Sequence, residues 1–487
     1  MKLGVLLREA GMPLPDARAC EIEITKVCSD TRRLEKGALF IALEGLHFDG
    51  ACFVAEAFAR GAAFVIAQRP LEGNWVMSVP NTRECLARVL DAWYGHPAQS
   101  FSLIGITGTN GKTSASTMLY HILRHAGLSV GLIGTVECRC NDEILHADGG
   151  RALANMTTPD PEQLYALLHE MKEKGASYVV MEVTSHALAF DKVAPLRFSR
   201  AVFTNLTPDH LDFHGDMEEY FCAKARLFSQ CDEAVVSWGT PYGVRLYDML
   251  ECPLYEISTR TVKNVVLNGA CGVAYTLLLP DGGELELSVP VPGAFSVENS
   301  ALAAMCALSL GVDAKTVTNA LSCVRGVRGR MERVETDADV TVILDYAHTP
   351  DALYKLLQSV RSFIPLSSRL TVLFGCGGDR DKSKRREMGR VASSLADLVV
   401  VTSDNCRSED PGVIISEIMR GVDKERPHVV IADRKEAILY AIGTAKAGDT
   451  IVLAGKGHEE YEIKGNARLP FSERTIVRDA VKARRGE

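Results

Sequence analysis

Apolar residues fall in short unbroken runs along most of this chain, separated by stretches of helical period. From about residue 98 the runs are FSLIGIT, SVGLIGTV, YVVMEVT, RAVFTNL and EAVVSW. Runs rich in Val and Ile, without a polar alternate face, mark strands buried on both sides. Their alternation with helical stretches predicts a mostly parallel sheet with helices on both faces. A later series, TVILDYA, LTVLFGC, LVVVTSD, HVVIAD and TIVLAG, is spaced by predicted helices over 383–395 and 434–446. It predicts a smaller Rossmann-like α/β unit. The GxGxxG fingerprint is absent after its first strand, so a nicotinamide cofactor is not expected.

Before residue 97 short strands mix with helix. His96-Pro97 marks a linker, because proline disfavours helix in the residue before it. The glycine- and arginine-rich GVRGR at 326–330 marks a second hinge. The expected architecture is therefore α/β in three domains, 1–97, 98–328 and 329–487. A length of 487 residues agrees, at roughly 150 residues per domain.

Composition narrows the class. With 47% hydrophobic and 24% charged residues the chain reads as soluble and globular. A net charge of -8 leaves no basic excess to neutralise nucleic-acid phosphates. The 14 cysteines form no zinc-type pairs and suit a reducing cytoplasm. The opening MKLGVLLREAGMPLP is too short an apolar run for a signal peptide, and no stretch reaches the length of a membrane helix. The expectation is a cytoplasmic monomer without nucleic-acid or membrane partners.

The first candidate chemistry lies where strand 102–106 runs into TGTNGKTS, residues 107–114, and then into a helix. Gly108 and Gly111 let backbone N–H groups curl around phosphate oxygens, and a helix N-terminus faces them. Lys112 is expected to bridge the β- and γ-phosphates, and the Thr113 hydroxyl to hold Mg²⁺. The common GxxxxGK[ST] form asks for glycine at 106, where this chain has Ile106.

Two further strands end in chemistry-bearing residues. YVVMEVT delivers Glu182, followed by Thr184 to His186, and TNLTPDHLDFHGD packs Asn205, Asp209, His210, Asp212 and His214 into ten residues. Without a third ligand at zinc spacing, this set beside a phosphate loop suits Mg²⁺ better than zinc. Lys224, ten residues past His214, reads alone as a surface lysine in a salt bridge. An ammonium would repel the metal, so it gains interest only if modified.

Together these motifs resemble the Mur ligases. TGTNGKTS is similar to the family's TGTNGKTT, which also lacks the first glycine. MEVTSHAL and TNLTPDHLDFHG resemble its MEVSSHAL and TNLxxDHLDxHG. The resemblance implies that Thr113, Glu182, His210 and a carbamylated Lys224 surround Mg²⁺. It also implies that Gly108, Thr109, Asn110, Gly111, Lys112, Thr113 and Ser114 hold ATP. Asn299 in SVENSALAA, Arg330 in RGRMERV and Asp345 in DYAHTPDAL would join them, with His348 nearby. The segment SDTRRLEKGALFIALEGLHFDG resembles the family's uridine-nucleotide domain and implies Ser29, Thr31 and Arg32 as precursor contacts, with Thr157, Thr158, Thr184 and Lys192. GCGGDRDKSKR, SDNCRSEDP and GKGHEEY resemble amino-acid-binding segments and imply Arg385, Asp404, Asn405, Arg407, Gly455 and Glu459. Cys406 departs from the family's proline there, and Phe190 and Lys192 stand where some relatives have Gln and Arg.

The implied activity is ATP-dependent amide ligation through an acyl phosphate, adding meso-diaminopimelate to UDP-N-acetylmuramoyl-L-alanyl-D-glutamate in peptidoglycan synthesis. A lysine-adding ligase of the family, a folate polyglutamate ligase and a P-loop ATPase without ligase activity are the alternatives.

Overall fold

A computed structural model describes every residue except 46–48, 72, 146–155, 335–338, 366, 466 and 486–487, and all but the side chains of 270 and 485. The N-terminal segment quoted above therefore lies partly outside the described residues, at 46–48.

The apolar runs form strands as their composition requires. A four-stranded parallel sheet spans residues 26–78. An eight-stranded sheet follows, in spatial order Leu254–Ile257, Cys231–Ser237, Phe198–Phe203, Ser102–Thr107, Tyr178–Glu182, Val130–Ile133, Cys138–Cys140, Glu143–Ile144. Its first six strands are parallel and the last two antiparallel. A six-stranded sheet, parallel except for the short edge strand Glu332–Arg333, gathers the C-terminal series. Predicted helix 383–395 is found as Ser383–Leu395; the one predicted over 434–446 stops at Gly443.

Two antiparallel pieces were not anticipated: a three-stranded sheet over 262–289 and the hairpin Tyr461–Lys464/Ala467–Pro470. The strand Val262–Leu267 is largely exposed, so it lacks the buried apolar run that betrays the others.

The topology positions the site. Ser102–Thr107 sits between Tyr178–Glu182 and Phe198–Phe203. Successive connections leave this strand toward opposite edges, which makes its C-terminal end a topological switch point, where α/β sheets bind ligands. The helix Lys112–His125 begins there and packs on Phe295–Ser309. Among the described residues no helix is long and apolar enough to cross a membrane.

Candidate functional site

The phosphate loop is fastened to the neighbouring strand end. Thr109 N donates to Asn205 O at 2.9 Å, and Asn110 N to Asn205 Oδ1 at 3.0 Å. Gly108 has φ +145°, and a Cβ on it would lie 1.9 Å from Thr204 Oγ1. Gly111 has φ +85°, and a Cβ there would lie 2.3 Å from Asn299 Oδ1. Both positions thus admit only glycine, and buried Asn299 stands against the loop itself. Lys112 Nζ folds back on Gly108 O and Thr109 O, at 2.8 and 2.9 Å. Ser114 lies on the first turn of the following helix.

Glu182 is fully buried and aimed at the loop. Its carboxylate accepts from Thr113 Oγ1 at 3.0 Å, and from Thr135 N and Oγ1 at 2.9 Å each. Thr135, which the sequence reading missed, also accepts from Thr157 Oγ1 at 3.0 Å, its own proton being given to Glu182. Its one signal was its place at the C-terminal end of a strand. Thr158 donates to Glu182 O at 2.9 Å and accepts from Thr184 N at 3.0 Å, so the Thr157-Thr158 segment borders the same carboxylate.

Lys224 is not a surface lysine. It is 2% exposed and has no carboxylate partner among the described residues. Its Nζ donates to Gly108 O at 2.9 Å, the carbonyl that Lys112 also uses. Burial, and next the charge of Lys112, push its pKa well below the usual lysine value. Desolvation likewise outweighs Asp209 and lowers the pKa of His210, leaving a neutral imidazole at pH 7. Burial opposes ionisation of Asp209, but His210, His348 and Lys384 outweigh it and hold this carboxyl low. His348 and Lys384 approach it from the C-terminal sheet's side, at 3.8 and 3.9 Å.

The Thr113 hydroxyl and the Glu182 carboxylate, 3.0 Å apart, are hard oxygen donors suited to Mg²⁺, which takes few protein ligands and completes its shell with water and phosphate; His210 lies beside Asp209. Among the described residues no three His, Cys, Asp or Glu converge as a zinc cage does.

Residues from Arg330 onward also reach this centre. Arg330 donates to Thr113 Oγ1 at 3.2 Å and lies over the Tyr346 ring, while Asp345 accepts from Met331 N and Ala347 N at 2.7 Å each. Asn110 Nδ2 donates to Asp351 at 3.1 Å.

On the N-terminal side, Ser29 donates through N and Oγ to Glu162 at 2.8 and 2.7 Å. Arg32 is exposed on a short turn with Thr31 and, among the described residues, pairs with neighbouring Asp30. Lys192 pairs with Asp160 at 2.8 Å.

The C-terminal residues fall into two groups. Asn405 Nδ2 donates to Glu459 at 2.8 Å. Gly455, at φ +112°, lies against Asp404. Arg407 adopts φ +51°, and among the described residues its guanidinium donates to the carbonyls of Gly378 and Asn405, at 2.8 and 3.3 Å. Arg385, by contrast, is fully enclosed. Its guanidinium is taken up by Glu409 and Glu417, at 2.7 to 3.0 Å. In this arrangement it braces the loop, while its Nε has no hydrogen-bond partner among the described residues. The arginine that faces Arg407 is Arg380, whose pKa is lowered by desolvation and then by the Arg407 charge. It lies in the same GCGGDRDKSKR segment. A cavity of about 390 Å³, lined by Thr135, Arg328, His458, Glu459 and Tyr461 among others, runs from the Glu182 side to the Glu459 side.

Comparison with known proteins fits this geometry. Residues 23–94 match the description "Mur ligase family, catalytic domain", 106–308 "Mur ligase middle domain", and 329–457 "Mur ligase, glutamate ligase domain". A UDP-N-acetylmuramoyl-L-alanyl-D-glutamate--2,6-diaminopimelate ligase from Gloeobacter violaceus is 42% identical, covering 100% of this chain and 99% of its own. The ligase of the same name from Geobacillus kaustophilus is also 42% identical, over 95% and 96%. The chain belongs to the Mur ligase family. A solved structure of a UDP-N-acetylmuramoyl-L-alanyl-D-glutamate--2,6-diaminopimelate ligase superposes on this Mur ligase with a TM-score of 0.68, at 29% identity, covering 100% of both chains. A MurF ligase from Thermotoga maritima in complex with ADP shares the fold, at TM-score 0.61 and 19% identity. Family membership accounts for Ile106 in the phosphate loop.

Proposed function

We propose that this Mur ligase joins meso-2,6-diaminopimelate to UDP-N-acetylmuramoyl-L-alanyl-D-glutamate, using ATP, in peptidoglycan precursor synthesis. The observation that carries the reading is the approach of C-terminal residues to the phosphate loop: Arg330 donates to Thr113 Oγ1 at 3.2 Å and Asn110 Nδ2 to Asp351 at 3.1 Å, which brings an amino-acid-bearing domain to the nucleotide. The reading assigns residues 1–97 to the uridine-nucleotide precursor, 98–328 to ATP and 329–487 to the amino acid. It is a cytoplasmic, monomeric activity, without a nucleic-acid or membrane partner.

A carboxylate does not couple to an amine unaided, because its leaving group is poor. The D-glutamate γ-carboxylate attacks the γ-phosphorus, releasing ADP and forming an acyl phosphate. The deprotonated amine of diaminopimelate then attacks the acyl carbon, and inorganic phosphate leaves. Lys112 and the loop N–H groups stabilise the charge on the transferring phosphoryl oxygens. Thr113, Glu182, His210 and carbamylated Lys224 would hold Mg²⁺, which supplies Lewis-acid neutralisation of that charge. Ser29, Thr31, Arg32, Thr157, Thr158, Thr184 and Lys192 orient the precursor; Arg385, Asp404, Asn405, Arg407, Gly455 and Glu459 orient the amine, with Arg380 beside Arg407. Much of the rate comes from holding three substrates in register.

Product mass analysis with ATP, the dipeptide precursor and a panel of amines tests this. The expected product is the diaminopimelate adduct alone; ATP turnover without any adduct defeats the reading. Gly108→Ala is expected to weaken nucleotide binding by about 10²-fold, since its Cβ collides with Thr204 and strains the loop. Nucleotide titration on the folded variant checks it.

A further inference from the structure

We propose that Lys456 is a positioning residue for the amine substrate: its fully buried ammonium ties Asp404, Asn405 and Glu459 into one cradle and fixes which way the Asn405 amide points. The inference rests on the reading of Asn405, Arg407 and Glu459 as the amine site.

Lys456 is 0% exposed, so it does not touch substrate itself. Nζ donates to Asn405 Oδ1 at 3.0 Å and to Tyr461 O at 2.8 Å. Its remaining hydrogen lies between Asp404 Oδ1 at 3.4 Å and Glu459 Oε2 at 3.7 Å. An ammonium has three donors and no acceptor, so the group is fully committed. The rings of Tyr461 and Phe471, 5.9 and 5.7 Å away, wall it in.

Two consequences follow. The first is orientation. Asn405 Oδ1 already accepts from Lys456 and from Ile463 N at 3.0 Å, so Nδ2 must face Glu459. A flipped amide would set its NH₂ against two donors. The second is charge. Glu459 is faced by Asp404, Lys456, Asn405, Tyr461, Tyr346 and Arg434. Burial, then Asp404, raises the Glu459 pKa above the usual carboxylate value, and Lys456 works against both. Arg434 is committed to Glu473 at 2.8 Å and to the carbonyls of Ser403 and Ala454. Two carboxylates around one lysine leave a net negative cradle, which fits an ammonium-bearing amino acid.

The test is Lys456→Met and Lys456→Gln in the full-length enzyme, with kcat/KM for diaminopimelate followed across pH. Lys456→Met is expected to raise the KM for diaminopimelate about 10²-fold, with the KM for ATP within about threefold. Removing the cation raises the Glu459 pKa further, so the acidic limb of the profile moves to higher pH. Lys456→Gln keeps a donor for Asn405 but loses the charge. It is expected to show the same limb shift with a smaller rise in KM, and it carries the test if the Met variant does not fold. An unmoved acidic limb in a folded variant overturns the proposal, as does a KM for ATP that rises in step. Glu459→Gln separates the two levels. If it leaves the diaminopimelate KM unchanged, the amine-site reading itself fails; if it raises that KM while the Lys456 variants keep the wild-type limb, only the role of Lys456 falls.

Discussion

Lys224→Met is expected to lower kcat by about 10³-fold without lowering Tm. A buried lysine normally has a carboxylate partner, because an unpaired charge in the interior is costly. Lys224 has none among the described residues; it shares the Gly108 carbonyl with a second ammonium, that of Lys112. Burial and that neighbour shift the balance toward the free amine. A free amine adds to dissolved CO₂: the nitrogen lone pair forms an N–C bond, one C=O π bond opens onto oxygen, and a proton leaves to water. The carbamate reverses the charge, so it attracts Lys112 and can face Mg²⁺ with Glu182. Methionine fills the same volume without the desolvated charge, and the fold loses nothing. Intact mass at neutral pH should show one CO₂ gained on the wild type and lost on acidification. Full activity in Lys224→Met would sink the assignment, and so would a wild type that turns over at the full rate with no CO₂ adduct.

The nucleotide half of the site was legible in the sequence because its parts are contiguous. A strand, Gly108, Gly111, Lys112 and a helix occur in one stretch, and backbone geometry alone dictates their arrangement. Glu182 and His210 were legible for a related reason: each follows a Val-rich strand, and the ends of such strands converge. Lys224 stood out only through the family resemblance, because a helix places charged residues outward by default and the segment does not say which face is covered. Arg380 and Arg385 show a finer limit. They stand five residues apart in one motif, and only tertiary packing sets Glu409 and Glu417 around Arg385 and places Arg380 beside Arg407. Lys456 was hidden for the same reason, since its partners Asn405 and Tyr461 are set by tertiary contact. The exposed strand Val262–Leu267 gave no buried apolar run to read.

Arg407→Ala is expected to raise the KM for diaminopimelate by about 10³-fold and leave that for ATP within about threefold. Its backbone explains why the side chain points where it does. Arg407 N donates to Ile463 O at 3.1 Å, and Gly465 N donates to Arg407 O at 2.7 Å. The hairpin thereby holds a non-glycine residue at φ +51°, a conformation that persists only where surroundings impose it. This anchoring also replaces the rigidity that proline, rather than Cys406, gives relatives at the preceding position. The guanidinium meets carbonyls but no carboxylate among the described residues, and Arg380 adds a second positive charge beside it. Two arginines without a carboxylate salt bridge among the described residues at one end, and the Glu459 carboxylate at the other, suit an amino acid with a distal carboxylate as well as an ammonium. Lysine offers no such carboxylate, and its binding would leave the arginines desolvated without an anion. A preference for diaminopimelate over lysine of about 10⁴ follows in the wild type, and Arg407→Ala should erode it mainly by losing the better substrate. Comparable KM values for the two amino acids in the wild type, or an equal loss of ATP affinity in the variant, would remove Arg407 from the recognition of the distal carboxylate.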